Sequence, residues 1–167
     1  DDSTTLAGRK RYPIKKVDIS LENEKKTAFS TTFTPLPAGT IFKSKIVYHN
    51  LLPEELGALV CALTFNGVND CHHGIGMAKP YGYGAVTIDV EMDIALRNET
   101  MLAFRAYMEA WYRKQNPKKT WSDSEQLQEL IAMTRFTHQT KKLSYMDLKM
   151  FSDVKDPKNG LPKFTNF

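Results

Sequence analysis

The stretch Cys71-His72-His73-Gly74-Ile75-Gly76-Met77-Ala78-Lys79-Pro80-Tyr81-Gly82-Tyr83-Gly84 gathers residue types that do chemistry. It holds a thiol, two adjacent histidines, a lysine, two tyrosines and four of the nine glycines, the glycines falling within eleven residues. Glycine permits positive φ and lets a ligand approach backbone N–H groups, while Lys79 adds a charge and Tyr81 and Tyr83 add flat faces. Phosphate is the ligand class such a loop suits, and RNA is its foremost carrier.

The elements around the loop decide what kind of loop it is. Phe29, Thr31 and Phe33 alternate with Ser30, Thr32 and Thr34; Pro35, Pro37 and Gly39 mark a turn, and Phe42, Ser44, Ile46 and Tyr48 resume a period of two, the pattern of a long hairpin. Pro53-Glu54-Glu55 then suits a first helical turn, Leu52, Leu56, Leu59, Val60 and Leu63 recur at helical spacing, and Asn66-Gly67 predicts the end. Beyond the loop, Val86, Ile88, Val90, Met92 and Ile94 alternate with Thr87, Asp89, Glu91 and Asp93, the cleanest strand pattern in the chain. A second helix is expected over 99 to 115, with Met101, Phe104, Met108, Trp111 and Tyr112 on one side. A third is expected from a capping box at Ser122 and Glu125 towards Phe136.

This order excludes two familiar phosphate motifs. A dinucleotide fingerprint needs a strand before its glycines and a helix after them, and places a third glycine where Lys79 stands. A P-loop needs Gly-Lys followed by Ser or Thr, where this chain has Ala78-Lys79-Pro80. Strand, strand, helix, glycine loop and strand form the back half of a split β-α-β, ferredoxin-like layout that many RNA-binding domains share. The reading is thus α+β: a ferredoxin-like (RRM-like) domain incomplete in this chain, with appended carboxy-terminal helices. Its parts are an arm over 1–26, a partial domain over 27–95 and a helical extension and tail over 96–167. The first strand and helix of the layout are missing.

Composition bounds the partners. At 167 residues, with 25% charged residues, a net charge of +4 and a pI near 9.0, the chain suits a soluble domain with an anionic partner. Basic residues cluster at Arg9-Lys10-Arg11 with Lys15-Lys16, at Arg113-Lys114 with Lys118-Lys119, and at Lys141-Lys142. Solvated faces are the plain reading of such clusters, and only the first lies near a motif considered below. Two cysteines, no signal peptide and no apolar run of membrane-spanning length lead to the expectation of a reduced, cytoplasmic setting without a membrane partner. The chain opens Asp1-Asp2-Ser3 without an initiator methionine, as a fragment or processed piece would.

Other constellations have plain readings beside their sharp ones. Cys61, Cys71, His72 and His73 contain zinc-ligand types, but Cys61 sits in a helix as a buried thiol and adjacent histidines do not easily face one tetrahedral ion, so no metal is assigned. Either histidine is a candidate general base towards a ribose hydroxyl, with Asp70 and Lys79 near it in sequence. Asp89, Glu91 and Asp93 read as a carboxylate row facing solvent, and the aromatic side of the second helix reads as core.

The runs Gly39-Thr40-Ile41-Phe42 through Asn50-Leu51, Glu54-Glu55-Leu56-Gly57-Ala58-Leu59 and His73 through Gly84 resemble the RAMP superfamily of CRISPR-associated proteins. Gly8-Arg9-Lys10-Arg11-Tyr12 and Leu143-Ser144-Tyr145-Met146 are similar to the carboxy-terminal region of the large RAMP proteins of type III systems. The resemblance covers most of residues 8 to 95 and the later helices loosely.

It implies a guide-RNA (crRNA) binding module within a ribonucleoprotein that targets RNA in antiviral defence, with target RNA and other RAMP domains or subunits as partners. RNA-binding residues would be Gly74, Gly76, Lys79, Tyr81, Gly82, Tyr83 and Gly84, with His72, His73, Arg9 and Lys10 beside them. Backbone N–H groups would meet phosphate oxygens and a tyrosine would stack on a base. Such backbone subunits belong to an RNA-guided endoribonuclease, but no residue here matches its acidic cutting motif, so no catalytic residue and no cofactor are assigned. The alternatives are a guide-processing endoribonuclease of the same superfamily using His72 or His73, and a protein interaction domain with no RNA role.

Overall fold

The computed structural model describes residues 11–17, 28, 31–136 and 148–155. Arg9, Lys10, the tail motif Leu143-Ser144-Tyr145-Met146 and the first residues of the expected hairpin lie outside them. In chain order the elements are α1 (Pro53–Thr64), β1 (His73–Gly74), β2 (Ala85–Val86), α2 (Ile94–Gln115), α3 (Glu125–Met133) and α4 (Leu148–Lys155). Among the described residues the sheet is the antiparallel pair β1–β2, with His73 opposite Val86 and Gly74 opposite Ala85.

Helix α1 starts as its sequence directs. Pro53 occupies the first turn, where its missing N–H costs nothing, and the Leu52 N–H donates to the Glu55 carboxylate at 2.9 Å. That is half of a capping box, since Leu52 offers no side-chain acceptor. The helix ends in three left-handed residues, Phe65 (φ 50°), Asn66 (φ 60°) and Gly67 (φ 77°). Arg105 of α2 braces this turn, its Nε donating to Asn66 Oδ1 at 2.6 Å and its Nη2 to Asn66 O at 2.8 Å.

The core is the crossing of α1 on α2. Val60, Cys61 and Met101 are buried there, with Met92 and Phe104 packed against them. Gly57 allows the close approach: a β-carbon built on it would stand 1.9 Å from the Thr100 carbonyl oxygen. Thr100 is 2% exposed, and its hydroxyl donates to Leu96 O at 2.8 Å, so its polar group enters the core satisfied. Burial raises the pKa of the Cys61 thiol, against the opposing pull of Arg105 and Arg97.

Two expected strand regions differ. Residues 87–93 continue β2 in sequence without a ladder, and α2 begins at Ile94, five residues before the expected start. Asp93 is the reason: its Oδ1 accepts the Leu96 N–H at 2.8 Å, an N-cap that turns the chain into a helix and removes Asp93 from the expected carboxylate row. Since α2 opens at Ile94, the domain boundary expected after residue 95 falls inside its first turn. The hairpin differs too. Its turn is present, with Gly39 at φ 82° and Thr40 donating to Pro37 O through both N–H and hydroxyl, yet residues 31–49 form no strand. Ile41 is 83% exposed and Phe42 72%. A two-stranded hairpin is marginal alone in water and needs a further strand or helix to cover its apolar face.

The segment after α2 is docked by polar contacts. The Trp121 N–H donates to Glu109 Oε2 at 2.7 Å, and the Trp121 ring meets Phe104 edge to face at 5.5 Å. Helix α3 then starts at Glu125 from Ser124, while Ser122 instead accepts through its carbonyl from Gln128 Nε2. On α2, Met101 is buried as expected, but Trp111 is exposed. Among the described residues no helix is long and apolar enough to cross a membrane.

Candidate nucleic-acid interface

The glycine stretch folds into a loop closed at its base by its own backbone. β1 and β2 pair across the neck, and the Ile75 N–H adds a bond to Gly84 O at 2.8 Å. Gly84 has φ 76°, and a β-carbon there would stand 1.9 Å from Ile75 O, so this position accepts only glycine without rearrangement. Inside the loop, Lys79–Tyr81 makes one 3₁₀ turn between two left-handed residues, Ala78 (φ 56°) and Gly82 (φ 92°). The Gly82 N–H donates to Lys79 O at 3.0 Å and the Tyr81 N–H to Ala78 O at 2.9 Å. Several of the loop's N–H groups therefore close the loop itself, leaving fewer for a ligand than the glycine count alone implies.

The sequence-derived residues come together with distinct roles. The Lys79 stem crosses Gly74, and its ammonium donates to Gly76 O, so the charge is folded back over the loop rather than extended from it. One of three ammonium donors is used in this way. Tyr81 and Tyr83 are both half-buried, and Tyr83 meets Phe33 edge to face at 5.3 Å. Ile75 and Met77 are exposed.

The histidines brace the neck. His73 stacks on Phe65 with ring centres 4.2 Å apart, and its Nε2 lies 2.8 Å from Leu63 O. A carbonyl only accepts, so Nε2 carries the hydrogen, and the bond satisfies one of the end carbonyls of α1. The His72 N–H donates to Thr134 O at 2.9 Å and its ring meets Phe136 edge to face at 4.7 Å. Among the described residues, His72 Nδ1 and Arg135 Nε are buried there without a hydrogen-bond partner. Cys61 Sγ donates to Asn66 Oδ1 and Cys71 Sγ to Asn69 O. The four zinc-type side chains are thus held by four different acceptors or ring contacts, and among the described residues no three His, Cys, Asp or Glu side chains converge on a common point.

Sequence reasoning missed the way the arm joins this loop. Residues 11–17 run past it: the Ile14 N–H donates to Met133 O at 2.7 Å, and a β-carbon on Gly82 would stand 2.5 Å from Lys16 O and 2.8 Å from Lys15 O. Ile14 is buried, with its δ-carbon 3.7 Å from where a Gly74 β-carbon would be. Gly82 therefore serves contact with the arm as well as its own turn. Arg11 places its guanidinium 5.9 Å from the Phe65 ring centre, and desolvation lowers its pKa from the ordinary value. The basic cluster at Arg9-Lys10-Arg11 was the visible signal, since it leads into this segment in sequence.

A separate open groove of about 310 Å³ is lined by Asn66, Leu102, Arg105, Ala106, Glu109 and Trp121. Its charged groups are engaged, Arg105 on Asn66 and Glu109 on the Trp121 N–H and Arg113. The loop and arm are the better candidate. No protein-family model, no curated protein and no solved structure matches this chain.

Proposed function

We propose that the chain holds RNA through the glycine loop and the arm beneath it, as a guide-RNA binding module of a CRISPR-type, RNA-guided effector. In this reading the module is part of a ferredoxin-like RAMP domain. One observation supports the reading most: a β-carbon on Gly82 would meet the Lys15 and Lys16 carbonyls, so the backbone of a lysine-bearing arm lies against the glycine loop that carries Lys79 and two tyrosines. Cations beside aromatic faces are the combination that tracks a single-stranded backbone without reading sequence. The role is holding. The His73 Nε2–H is committed to Leu63 O, which leaves that ring turned to the helix end.

The test is fluorescence anisotropy of a labelled single-stranded RNA over a salt series. Wild type is expected to bind with affinity that falls as salt rises, and Lys79→Ala to bind more weakly on every sequence, with a salt slope shallower by about 0.7. Equal affinity and slope in Lys79→Ala would remove the loop from the interface.

A further inference from the structure

The groove beside α2 joins an apolar floor to a rim whose unpartnered polar groups are donors. Leu102, Ala106 and Trp121 line it together with Asn66, Arg105 and Glu109. Leu102 and Ala106 stand four apart on α2, so they share one stripe of that helix, and Leu102 is 67% exposed. Arg105 is engaged along one side only. Its Nε and Nη2 donate to Asn66 Oδ1 and Asn66 O, and a planar guanidinium bonded in this way keeps its end face, one hydrogen on each terminal nitrogen, turned from those acceptors. Among the described residues nothing accepts from that end face. The same holds for Asn66 Nδ2, since Oδ1 takes both the Arg105 and the Cys61 hydrogens, and for the Trp121 indole N–H, since Glu109 holds the backbone N–H instead. Both oxygens of Glu109 already receive a hydrogen, Oε1 from Arg113 Nε and Oε2 from Trp121, so the acid in the groove is paired and bonded.

We propose that this groove docks an acidic segment of a protein partner: an aspartate or glutamate whose carboxylate lies on the end face of Arg105, with an adjoining large apolar side chain on Leu102 and Ala106. A carboxylate meets such a fork with two parallel hydrogen bonds. Charge complementarity extends beyond the fork, because the chain as a whole carries +4. The groove is open along its outer side, so a small organic acid would be covered on one face, whereas small-ligand sites enclose most of their ligand. A polypeptide is held by the residues flanking its anchor and can use an open groove. An RNA phosphate would satisfy the same fork, but the apolar groups beside it on α2 are a branched alkyl and a methyl, which suit an aliphatic side chain better than a stacked base. The proposal does not depend on the RNA-holding reading.

The probes are two short glycine–serine peptides that differ at one position, one carrying leucine followed by aspartate and the other leucine followed by asparagine. Each is titrated into the chain labelled with nitrogen-15. The aspartate peptide is expected to move the Trp121 indole and Asn66 side-chain amide signals, and the asparagine peptide to bind about tenfold or more weakly. Leu102→Ser should weaken the aspartate peptide about fivefold with an unchanged melting temperature, because Leu102 is exposed. Arg105→Lys keeps the charge and loses the fork, and is expected to bring the two peptides to equal affinity. Arg105 also braces the end of α1, so Leu102→Ser is the variant that tests the groove without touching that turn. Equal affinity of wild type for the two peptides, or no movement of the two signals with either, overturns the proposal. Movement of the same signals by a single-stranded RNA that displaces the aspartate peptide also overturns it and assigns the groove to nucleic acid.

Discussion

The glycine loop over 75–84 and the extended run over 31–49 are both written plainly in the sequence, but only the loop is closed by its own hydrogen bonds, while beyond the contact of Phe33 on Tyr83 the run leaves its apolar residues exposed. The loop is closed by bonds between residues a few positions apart: Gly82 to Lys79, Tyr81 to Ala78, Ile75 to Gly84. The run alternates apolar and polar residues as a strand does, forms its turn at Pro37–Thr40, and then leaves Ile41, Phe42, Ile46 and Val47 exposed. Local bonding makes a loop self-sufficient, whereas a strand is specified by an edge to pair with and a face to cover. A correct period therefore does not guarantee the element.

The difference can be attacked from either side, and the neck of the loop gives the largest effect. Gly84→Ala combines a positive φ with a β-carbon 1.9 Å from Ile75 O. It is expected to lower unfolding free energy by about 2–4 kcal/mol in denaturant titration, with rapid amide exchange across 73–86. Next is Gly82→Ala, where the intruding β-carbon meets the arm backbone at Lys16 O, 2.5 Å away. A loss of about 1–3 kcal/mol is expected, with amide protection lost at Ile14 while α1 and α2 keep theirs. Retention of the arm in that variant would show that loop and arm are separate surfaces.

The extended run should behave in the opposite way. Replacing Phe42 and Ile46 together by serine is expected to change stability by no more than about 0.5 kcal/mol, because neither side chain is buried. A clear loss would mean that the run packs on this chain beyond Phe33 as well. The smallest effect is the pH response of the scaffold under the loop. The folded state holds the Cys61 proton above the ordinary value of 9.0, so it binds more protons than the unfolded chain in that range. Stability contributed by the neutral thiol is complete at lower pH and is lost as pH rises through that range; Cys61→Ala should flatten this slope in melts taken at rising pH.

How much of this was legible follows the same division. Pro53, Glu54 and Glu55 announced α1, and Asn66-Gly67 announced its end, because those signals act within one helical turn. Asp93 carried an equally local signal as an N-cap, but it lay inside a clean alternation, and the alternation over Val86–Ile94 overrode it. The loop's residues were legible as a group, while their roles were not. That His73 would bind Leu63 O, that Lys79 would fold back on Gly76, and that Gly82 would seat the arm depend on contacts distant in sequence or on the loop's own curl. Gly57 carries no local signal of its role, yet it sets the approach of α1 to Thr100.

Amide hydrogen exchange, followed peptide by peptide with and without single-stranded RNA, bears most directly on the holding role of the loop and arm. The account predicts slowed exchange in 72–84 and in 11–17 on adding RNA, and no change in 40–49. Protection confined to 40–49, or no protection anywhere, would contradict it.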